Sequence, residues 1–271
     1  MQHIKIIIIL MIFWSFPKQS NAQNEDQQKV LFCYGDFYPE QIKDYTYVIV
    51  ESLHFSKKDI AILKESNTYV FAYISMGEVN KNGILFPEIE PHVLDKNELW
   101  DSYILDIENE ETNAALQKEF EYNLKEQDFD GMFLDNIDNY TIHGPTSHKK
   151  EMLLDFLKNI KDTYPNKKLM QNAGLLITED TYPYIDFIGI ESIATNYDFD
   201  KKEYKLRTKN EFHEKVNELQ TITKKFDIPI ILIEYAITKP LRQKVIKRVK
   251  STGWPFFIGN IDLQNIPKKI E

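Results

Sequence analysis

The sequence predicts a (β/α)8 barrel, in which eight parallel strands alternate with helices around one core. Eight short, β-rich apolar runs recur between residues 30 and 259, and helical patterns separate most of them. Seven of the nine glycines lie in or beside these runs, where tight turns at strand ends favour glycine. Residues 23–271 also match the length of one barrel domain, about 250 residues. A doubly wound open sheet is the alternative for such a pattern.

Each predicted strand is an apolar run that ends at a polar residue or a glycine. The eight strands are Val30–Tyr34, Tyr47–Val50, Val70–Ser75, Gly131–Asp135, Lys168–Asn172, Phe187–Glu191, Ile230–Tyr235 and Phe256–Gly259. Helical spacing of apolar residues predicts helices at Lys57–Glu65, Glu111–Gln127, Lys149–Tyr164, Glu211–Phe226 and Pro240–Lys250. The stretch from Gly77 to Glu110 contains an additional element near Tyr103, which we expect to form an elaborated loop over one end of the barrel.

The N-terminal segment 1–22 has the pattern of a cleavable secretory signal peptide. Lys5 precedes an apolar core from Ile6 to Phe16, and small residues follow up to Ala22. This core is shorter than the roughly 20 residues that a membrane span needs, so an uncleaved anchor is the alternative. The prediction is therefore a signal peptide at 1–22 and a single barrel domain at 23–271, secreted or periplasmic, with no membrane association after cleavage.

The charge of the chain narrows the class of ligand. The formal net charge is -9 and becomes -11 when Lys5 and Lys18 leave with the predicted signal peptide. An acidic protein is a poor candidate for nucleic acids or anionic membranes, whereas it suits a neutral or cationic ligand. Cys33 is the only cysteine, which excludes an internal disulfide and predicts a small core residue. We expect a monomer.

Polar side chains collect where the predicted strands end. The C-terminal ends of parallel barrel strands share one rim, and active sites of barrel enzymes lie there. Carboxylates and amides bind sugar hydroxyls, and tyrosine rings cover the C–H faces of sugars. The predicted substrate-binding residues are Tyr34, Tyr73, Ser75, Glu78, Asn136, Asp138, Asn172, Tyr197, Glu234 and Tyr235.

Two carboxylates at this rim are predicted to be catalytic. Asp135 and Glu191 each directly terminate an apolar strand. Cleavage of a glycosidic bond needs two carboxyl groups, one of which donates a proton while the other is charged. Each could instead cap a helix or form a structural ion pair, but few Lys or Arg residues occur at the strand ends. Glu78, Asp138 and Glu234 are secondary candidates.

Other chemistries have less support in the sequence. The histidines lack metal-ligand spacing, and Ser75 lacks the preceding glycine of a nucleophile elbow. No phosphate-binding or dinucleotide glycine motif is present. We therefore expect neither a cofactor nor a metal. A site formed by the four carboxylates at the rim is the metal-binding alternative, with Glu78, Asp135, Asp138 and Glu191 as its ligands.

Four segments in order along the chain resemble glycoside hydrolase family 114, the endo-α-1,4-polygalactosaminidase group. They are Tyr73-Ile-Ser-Met-Gly-Glu78, Gly131-Met-Phe-Leu-Asp-Asn-Ile-Asp-Asn-Tyr140, Ile190-Glu-Ser192 with Thr195-Asn-Tyr197, and Glu234-Tyr-Ala236. The resemblance implies a (β/α)8 barrel that cleaves α-1,4-linked galactosamine polymers without a cofactor, with Asp135 and Glu191 as the catalytic pair. Met76 and the segment Asn172-Ala-Gly174 are less typical of the family.

The expected function is that of an exported glycoside hydrolase acting on a cationic amino-sugar polysaccharide. By analogy with barrel α-galactosidases, Asp135 is the expected nucleophile and Glu191 the expected acid/base. The rival hypothesis is a catalytically inactive glycan-binding barrel with the same tyrosine-rich rim. The geometry of the carboxylate pair distinguishes the two.

Overall fold

Residues 29–267 form thirteen strands, eight of which make a barrel. This computed structural model describes residues 29–267, so the predicted signal peptide at 1–22 lies outside the described residues. In chain order the strands are β1 Val30–Cys33, β2 Tyr47–Val50, β3 Tyr69–Ser75, β4 Glu78–Asn80, β5 Lys96–Asn97, β6 Ser102–Ile104, β7 Gly131–Asp135, β8 Lys168–Asn172, β9 Phe187–Glu191, β10 Thr195–Asp198, β11 Glu203–Leu206, β12 Ile230–Tyr235 and β13 Phe256–Gly259.

The barrel strands pair in parallel in the order β1-β2-β3-β7-β8-β9-β12-β13. Strand β13 packs beside β1, which leaves the barrel nearly closed. The chain after β13 joins this seam, because the Tyr34 N–H donates a 2.7 Å hydrogen bond to the Leu263 carbonyl. The sequence order around the sheet confirms the (β/α)8 prediction and excludes the doubly wound alternative. Six predicted strands match to the residue, and the other two differ by one residue at one end.

Seven α-helices accompany the strands in the described part of the chain. They are α1 Lys57–Ser66, α2 Phe86–Ile89, α3 Glu110–Glu121, α4 Lys150–Thr163, α5 Thr178–Thr181, α6 Lys209–Phe226 and α7 Lys239–Val249. Reciprocal side-chain caps begin α1 (Ser56 with Asp59) and α6 (Thr208 with Glu211). The predicted helix Glu111–Gln127 ends earlier than expected, because a single π-helical turn follows α3 at Tyr122–Glu126.

Aromatic side chains fill the barrel interior below the rim. Phe32 from β1 packs its ring 5.1 Å from Phe133 of β7 and 5.6 Å from Phe257 of β13. Gly189 of β9 leaves room for this layer, since a Cβ there would lie 3.0 Å from the Phe133 ring. The interior is therefore a packed core, and polar chemistry is confined to the C-terminal ends of the strands.

Two small antiparallel sheets extend beyond the barrel strands. Strands β4, β6 and β5 form one sheet, which confirms the additional element predicted near Tyr103. Strands β10 and β11 form a hairpin that the sequence analysis did not predict. The rings of Trp100 and Phe199, one from each accessory unit, lie 5.0 Å apart. Within residues 29–267, no helix has the length and apolar character required to cross a membrane.

Candidate active site

A cavity of about 860 Å³ opens at the C-terminal ends of the barrel strands. It contains both predicted catalytic carboxylates and most of the predicted binding residues. Those that line it are Tyr34, Tyr73, Ser75, Glu78, Asp135, Asn136, Asp138, Asn172, Glu191 and Tyr235. Tyr197 and Glu234 do not line it.

Asp135 ends β7, the fourth barrel strand, and three hydrogen-bond donors point at its carboxylate. Oδ2 accepts a 3.0 Å hydrogen bond from the Tyr73 hydroxyl. Oδ1 accepts bonds from the backbone N–H of Asn136 at 2.9 Å and from Asn172 Nδ2 at 2.8 Å. These three donors orient the carboxylate at the cavity, and a fixed orientation is what a nucleophile needs.

Glu191 ends β9, the sixth barrel strand, and its side chain is open to the cavity. Oε1 accepts a 2.7 Å hydrogen bond from Asn172 Nδ2, and Oε2 accepts a 2.6 Å bond from the Tyr235 hydroxyl. Desolvation by the surrounding protein raises the pKa of Glu191, and the nearby charge of Asp135 raises it further. The two donors counteract part of that rise. A carboxyl group with a raised pKa is suited to donate a proton.

The amide of Asn172 bridges the two carboxylates. Asn172 Nδ2 donates to Asp135 Oδ1 at 2.8 Å and to Glu191 Oε1 at 2.7 Å. Because both oxygens are bound to one nitrogen atom, they lie no farther apart than these two bond lengths laid end to end. Carboxyl groups of retaining glycosidases lie about 5–5.5 Å apart and those of inverting glycosidases about 6.5–9.5 Å. The two groups are therefore close enough to act on one glycosidic bond.

The residue after each of these three strand-terminal groups adopts a left-handed backbone conformation. The φ angles are 57° at Asn136, 53° at Ala173 and 57° at Ser192. None of the three is a glycine, and a left-handed conformation at alanine or serine costs about 1–2 kcal/mol. Three such turns on adjacent strands show that the surrounding structure, rather than local preference, sets the direction of the site residues.

Two tyrosines whose rings are in tilted contact lie in the cavity lining. The rings of Tyr34 and Tyr73 lie 4.6 Å apart, and both line the cavity. Burial raises the pKa of Tyr34 well above its usual value, and the charges of Asp135, Glu191 and Glu51 add to this effect. Burial and the charge of Asp135 also raise the pKa of Tyr73. Both phenols are therefore protonated near neutral pH and available as donors.

The cavity lining next to β7 also includes Asp138, Ser75 and Asn136. Asp138 Oδ1 accepts a 2.9 Å hydrogen bond from the Gly174 N–H, while the residue itself is exposed at the cavity. Burial of the carboxyl group by nearby protein raises the pKa of Asp138, and the Gly174 bond lowers it. The Ser75 hydroxyl donates to Asn136 Oδ1 at 2.7 Å and accepts from the Glu78 N–H at 3.0 Å. Ser75 therefore connects the Asn136 side chain to the backbone of Glu78.

Glu78 supports the accessory sheet rather than offering a free carboxylate. It is only 7% exposed. Its oxygens accept hydrogen bonds from Ser102 Oγ, from Asn97 Nδ2 at 3.1 and 3.2 Å, and from Asn139 Nδ2 at 3.3 Å. These donors tie β4 to β5, β6 and the turn after β7. Glu78 lines the cavity while its carboxylate is hydrogen-bonded by protein donors, so its contact with substrate stays a prediction.

Glu234, one of the predicted substrate-binding residues, lies outside the cavity lining and has a supporting position. Consecutive residues of a strand point to opposite faces, and Tyr235 is the one that faces the barrel interior. Glu234 is 0% exposed and accepts hydrogen bonds from the N–H groups of Ala194 and Thr195 at 2.8 and 2.9 Å and from Thr195 Oγ1 at 2.6 Å. It fastens the chain that follows β9.

Tyr197 is the second predicted binding residue that the structure places elsewhere. Its ring packs 5.0 Å from Phe199 and 4.8 Å from Tyr204 within the β10–β11 hairpin. Because this hairpin was not predicted, the sequence analysis assigned Tyr197 to the barrel rim. In the structure Tyr197 packs within the hairpin and is not part of the cavity lining.

Glu51 is a cavity residue that the sequence analysis missed. It directly follows β2 and lines the cavity. Burial raises the pKa of Glu51 to about 7. The signal was present in the sequence, because Glu51 terminates a predicted apolar strand in the same way as Asp135. Exposed apolar side chains at the cavity mouth were also missed, namely Leu53, Ile84, Trp100 and Leu176.

The metal-binding alternative lacks the required geometry. Among residues 29–267, no group of three or more His, Cys, Asp or Glu side chains is arranged to hold a metal ion. Glu78 is bound by protein donors, as described above, and Asp135 and Glu191 are bridged by an amide nitrogen. The four carboxylates therefore do not converge as ligands of one ion.

An eight-stranded parallel barrel with two facing carboxyl groups on its fourth and sixth strands has the architecture of a barrel glycoside hydrolase. The model of glycoside-hydrolase family GH114 matches residues 17–267. The chain belongs to this family and is a glycoside hydrolase, which confirms the resemblance found in the sequence. No protein of curated function matches the sequence at a significant level.

Two solved structures of other proteins share the fold. The glycoside hydrolase domain of PelA from Pseudomonas aeruginosa superposes with a TM-score of 0.76 at 22% identity, covering 87% of this chain and 96% of that domain. The complex of Ega3 from Aspergillus fumigatus with galactosamine gives a TM-score of 0.66 at 14% identity, covering 88% of this chain and 92% of Ega3. At these identities the superpositions establish the fold alone.

Proposed function

We propose that this protein is a retaining, endo-acting hydrolase of α-1,4-linked, galactosamine-rich polysaccharide, with Asp135 as nucleophile and Glu191 as general acid/base. The observation that carries this proposal is the Asn172 bridge, in which one amide nitrogen lies 2.8 Å from Asp135 Oδ1 and 2.7 Å from Glu191 Oε1. A pair whose nearest oxygens are bridged by one nitrogen atom favours the shorter, retaining separation over the longer, inverting one, which leaves room for a water.

The two carboxylates divide the reaction into two displacements. The Asp135 carboxylate attacks the anomeric carbon while Glu191 gives its proton to the departing glycosidic oxygen, and a covalent glycosyl–enzyme intermediate forms. The ionised Glu191 then takes a proton from water, which attacks the anomeric carbon and releases Asp135. The raised pKa of Glu191 supports its role as acid in the first step.

The remaining cavity surface suits a sugar chain. The tilted Tyr34 and Tyr73 rings offer aromatic surface with hydroxyl donors, and Trp100 adds a second aromatic face at the mouth. Sugars present alternating hydroxyl edges and C–H faces, which such surfaces bind. A chain that extends past the catalytic pair on both sides is accommodated by a cleft of this kind, as endo cleavage requires.

The acidic character of the cavity supports a cationic sugar. Asp138 and Glu51 lie in the same cavity as the catalytic pair, and Glu51, with a pKa of about 7, is partly ionised at neutral pH. An ammonium group on the sugar is attracted by these carboxylates. A related structure, that of Ega3, is a complex with galactosamine. We extend this ligand class to the present chain as part of the proposal.

Export is also part of the proposal. The apolar core from Ile6 to Phe16, preceded by Lys5 and followed by small residues up to Ala22, has the pattern of a cleavable signal. A polysaccharide substrate outside the cytoplasm requires such a route. We propose that the enzyme acts as a monomer with no nucleic-acid or membrane partner.

The inactive glycan-binding barrel is the rival function, and the ion pairs argue against it. None of the ion pairs found among residues 29–267 involves Asp135 or Glu191. Instead, both carboxylates keep an oriented set of neutral donors and face the cavity. This arrangement favours reaction over simple binding, because neutral donors leave both groups free to gain and lose charge during a cycle.

The test is cleavage of α-1,4-linked galactosamine polymer by the purified protein, followed by size analysis of the fragments. We expect short oligosaccharides from the wild type and a rate lower by about 10³-fold or more from Asp135→Asn and Glu191→Gln. Asp155→Asn, the same type of change on the exposed face of α4, is the matched control and keeps the wild-type rate. Polymer binding without cleavage by the wild type would support the rival function.

A further inference from the structure

The turn after β8 holds Asn172 in one orientation. Asn172 is 5% exposed, and its Nδ2 points at both carboxylates. Its Oδ1 is buried and accepts no hydrogen bond from the described protein atoms. Rotating the amide by half a turn would satisfy neither carboxylate and would place Oδ1 against two negative groups. Asn172 Oδ1 therefore lacks a partner because Nδ2 is directed at the two carboxylates.

Neighbouring side chains fix the backbone that carries this amide. Gln171 precedes Asn172 on β8, and its Nε2 donates to the Ala173 carbonyl at 2.8 Å and to the Gly174 carbonyl at 3.3 Å. Asp138 accepts from the Gly174 N–H at 2.9 Å. Ala173 itself is left-handed, with φ 53°. A strained turn held on both sides is typical of a segment that positions reactive groups.

We propose that Asn172 is a positioning residue that holds Asp135 and Glu191 at the retaining distance by donating one amide hydrogen to each. The inference rests on the proposed function and adds a role to it. Asn172 does not exchange a proton or attack the sugar. It acts through the two catalytic groups, in contrast to the predicted role of Asn172 as a substrate ligand.

The amide also compensates the repulsion between the two carboxylates. Without it, Asp135 would lose one of its three donors, and Glu191 would keep only Tyr235. Loss of a donor to the charged form raises a carboxyl pKa. The other titratable groups that face the pair remain in place and do not substitute for the amide, namely Tyr34, Tyr73, Asp138 and Glu51.

The experiment compares the wild type with Asn172→Ala and Asn172→Asp by the pH dependence of kcat/KM on the galactosamine polymer. We expect kcat to fall about 10²-fold in Asn172→Ala, since a misplacement of about 1 Å has that effect. The alkaline limb of the profile should move to higher pH by about one unit, because Glu191 then keeps its proton longer. Asn172→Asp keeps the size of the side chain but adds a third carboxylate, and should be less active than Asn172→Ala.

A second measurement separates this inference from the proposed function. Carboxyl 13C NMR titration of the free enzyme reports the pKa of Glu191 without any substrate, and Asn172→Ala should raise it. Asn159→Ala, on the exposed face of α4, is the matched control and should change neither readout. A superimposable pH profile and unchanged NMR titration in Asn172→Ala would overturn the inference even if its melting temperature fell. Absence of polymer cleavage by the wild type would refute the proposed function instead.

Discussion

The Tyr235 hydroxyl lies 2.6 Å from Glu191 Oε2 and donates a hydrogen bond to it. Tyr235 comes from β12, the strand that pairs in parallel with β9, which carries Glu191. The bond therefore crosses between neighbouring strands at the rim and connects Glu191, the proposed general acid, to the barrel framework. Because the phenol stabilises the ionised form of Glu191, it lowers a pKa that desolvation and Asp135 otherwise raise.

Removing this phenol should extend the activity to higher pH. In Tyr235→Phe the pKa of Glu191 rises, so the acid keeps its proton at higher pH and the alkaline limb of kcat/KM moves upward by about one unit. The ionised Glu191 formed in the first displacement also loses a donor, so kcat should fall about tenfold. Tyr182→Phe, an exposed tyrosine at the end of α5, is the control. An alkaline limb unchanged by Tyr235→Phe would show that the phenol does not tune the acid.

Glu51 should govern the preference for a charged sugar. Its pKa is about 7, so the carboxyl group is neutral well below pH 7 and ionised above it. The attraction for an ammonium group is therefore present above pH 7 and lost as the pH falls. We expect the wild-type ratio of kcat/KM for deacetylated over N-acetylated polymer to rise between pH 6 and 8. In Glu51→Gln that ratio should be lower by several-fold and less dependent on pH.

Glu51 should also destabilise the folded protein at neutral pH. A carboxyl group whose pKa is raised on folding binds more protons in the folded state than in the unfolded state, so stability decreases as the pH rises from about 4.5 to about 7. Glu51→Gln removes this penalty. Its melting temperature should therefore exceed that of the wild type at pH 8 and approach it at pH 4.5. A melting temperature below that of the wild type at pH 8 would contradict the assignment of a raised pKa.

Glu234 should matter for stability and little for chemistry. In Glu234→Ala the N–H groups of Ala194 and Thr195 and the Thr195 hydroxyl lose their buried acceptor, which should destabilise the fold by about 3 kcal/mol. Urea unfolding measures this loss. At low temperature, where the variant is folded, its kcat should stay within about threefold of that of the wild type. A loss comparable with that of Asp135→Asn in fully folded protein would instead assign Glu234 a direct role in the site.

Trp100 should contribute to binding of long chains. It is 51% exposed, lines the cavity and contacts Phe199 of the hairpin. Loss of an aromatic contact worth about 1 kcal/mol raises KM roughly fivefold. We therefore expect Trp100→Ala to raise KM for polymer while leaving that for a short aryl glycoside unchanged. Tyr122→Ala, an exposed aromatic residue after α3, is the control, and an equal rise in KM for both substrates would contradict an outer binding role.

Periodicity and strand ends predicted the barrel and the carboxylate pair because both depend on local pattern. An apolar run that stops at Asp135 or Glu191 marks both the strand and the polar residue at its C-terminal end. Strand alternation could have placed Glu234 outside the cavity lining, since its neighbour Tyr235 faces the interior. It could also have placed Glu51 on the rim. Local sequence pattern could not predict the hairpin around Tyr197 or the hydrogen bonds of Asn172, because both depend on contacts between segments distant in sequence.

The stereochemistry of cleavage tests the central claim most directly. Proton NMR during the first minutes of hydrolysis of the α-linked galactosamine polymer identifies the anomer formed at the new reducing end, before it equilibrates in water. A carboxylate pair bridged by the single amide nitrogen of Asn172 predicts the α-anomer, formed by two displacements through Asp135. Initial formation of the β-anomer would show a single displacement by water and would contradict the proposed roles of Asp135 and Glu191.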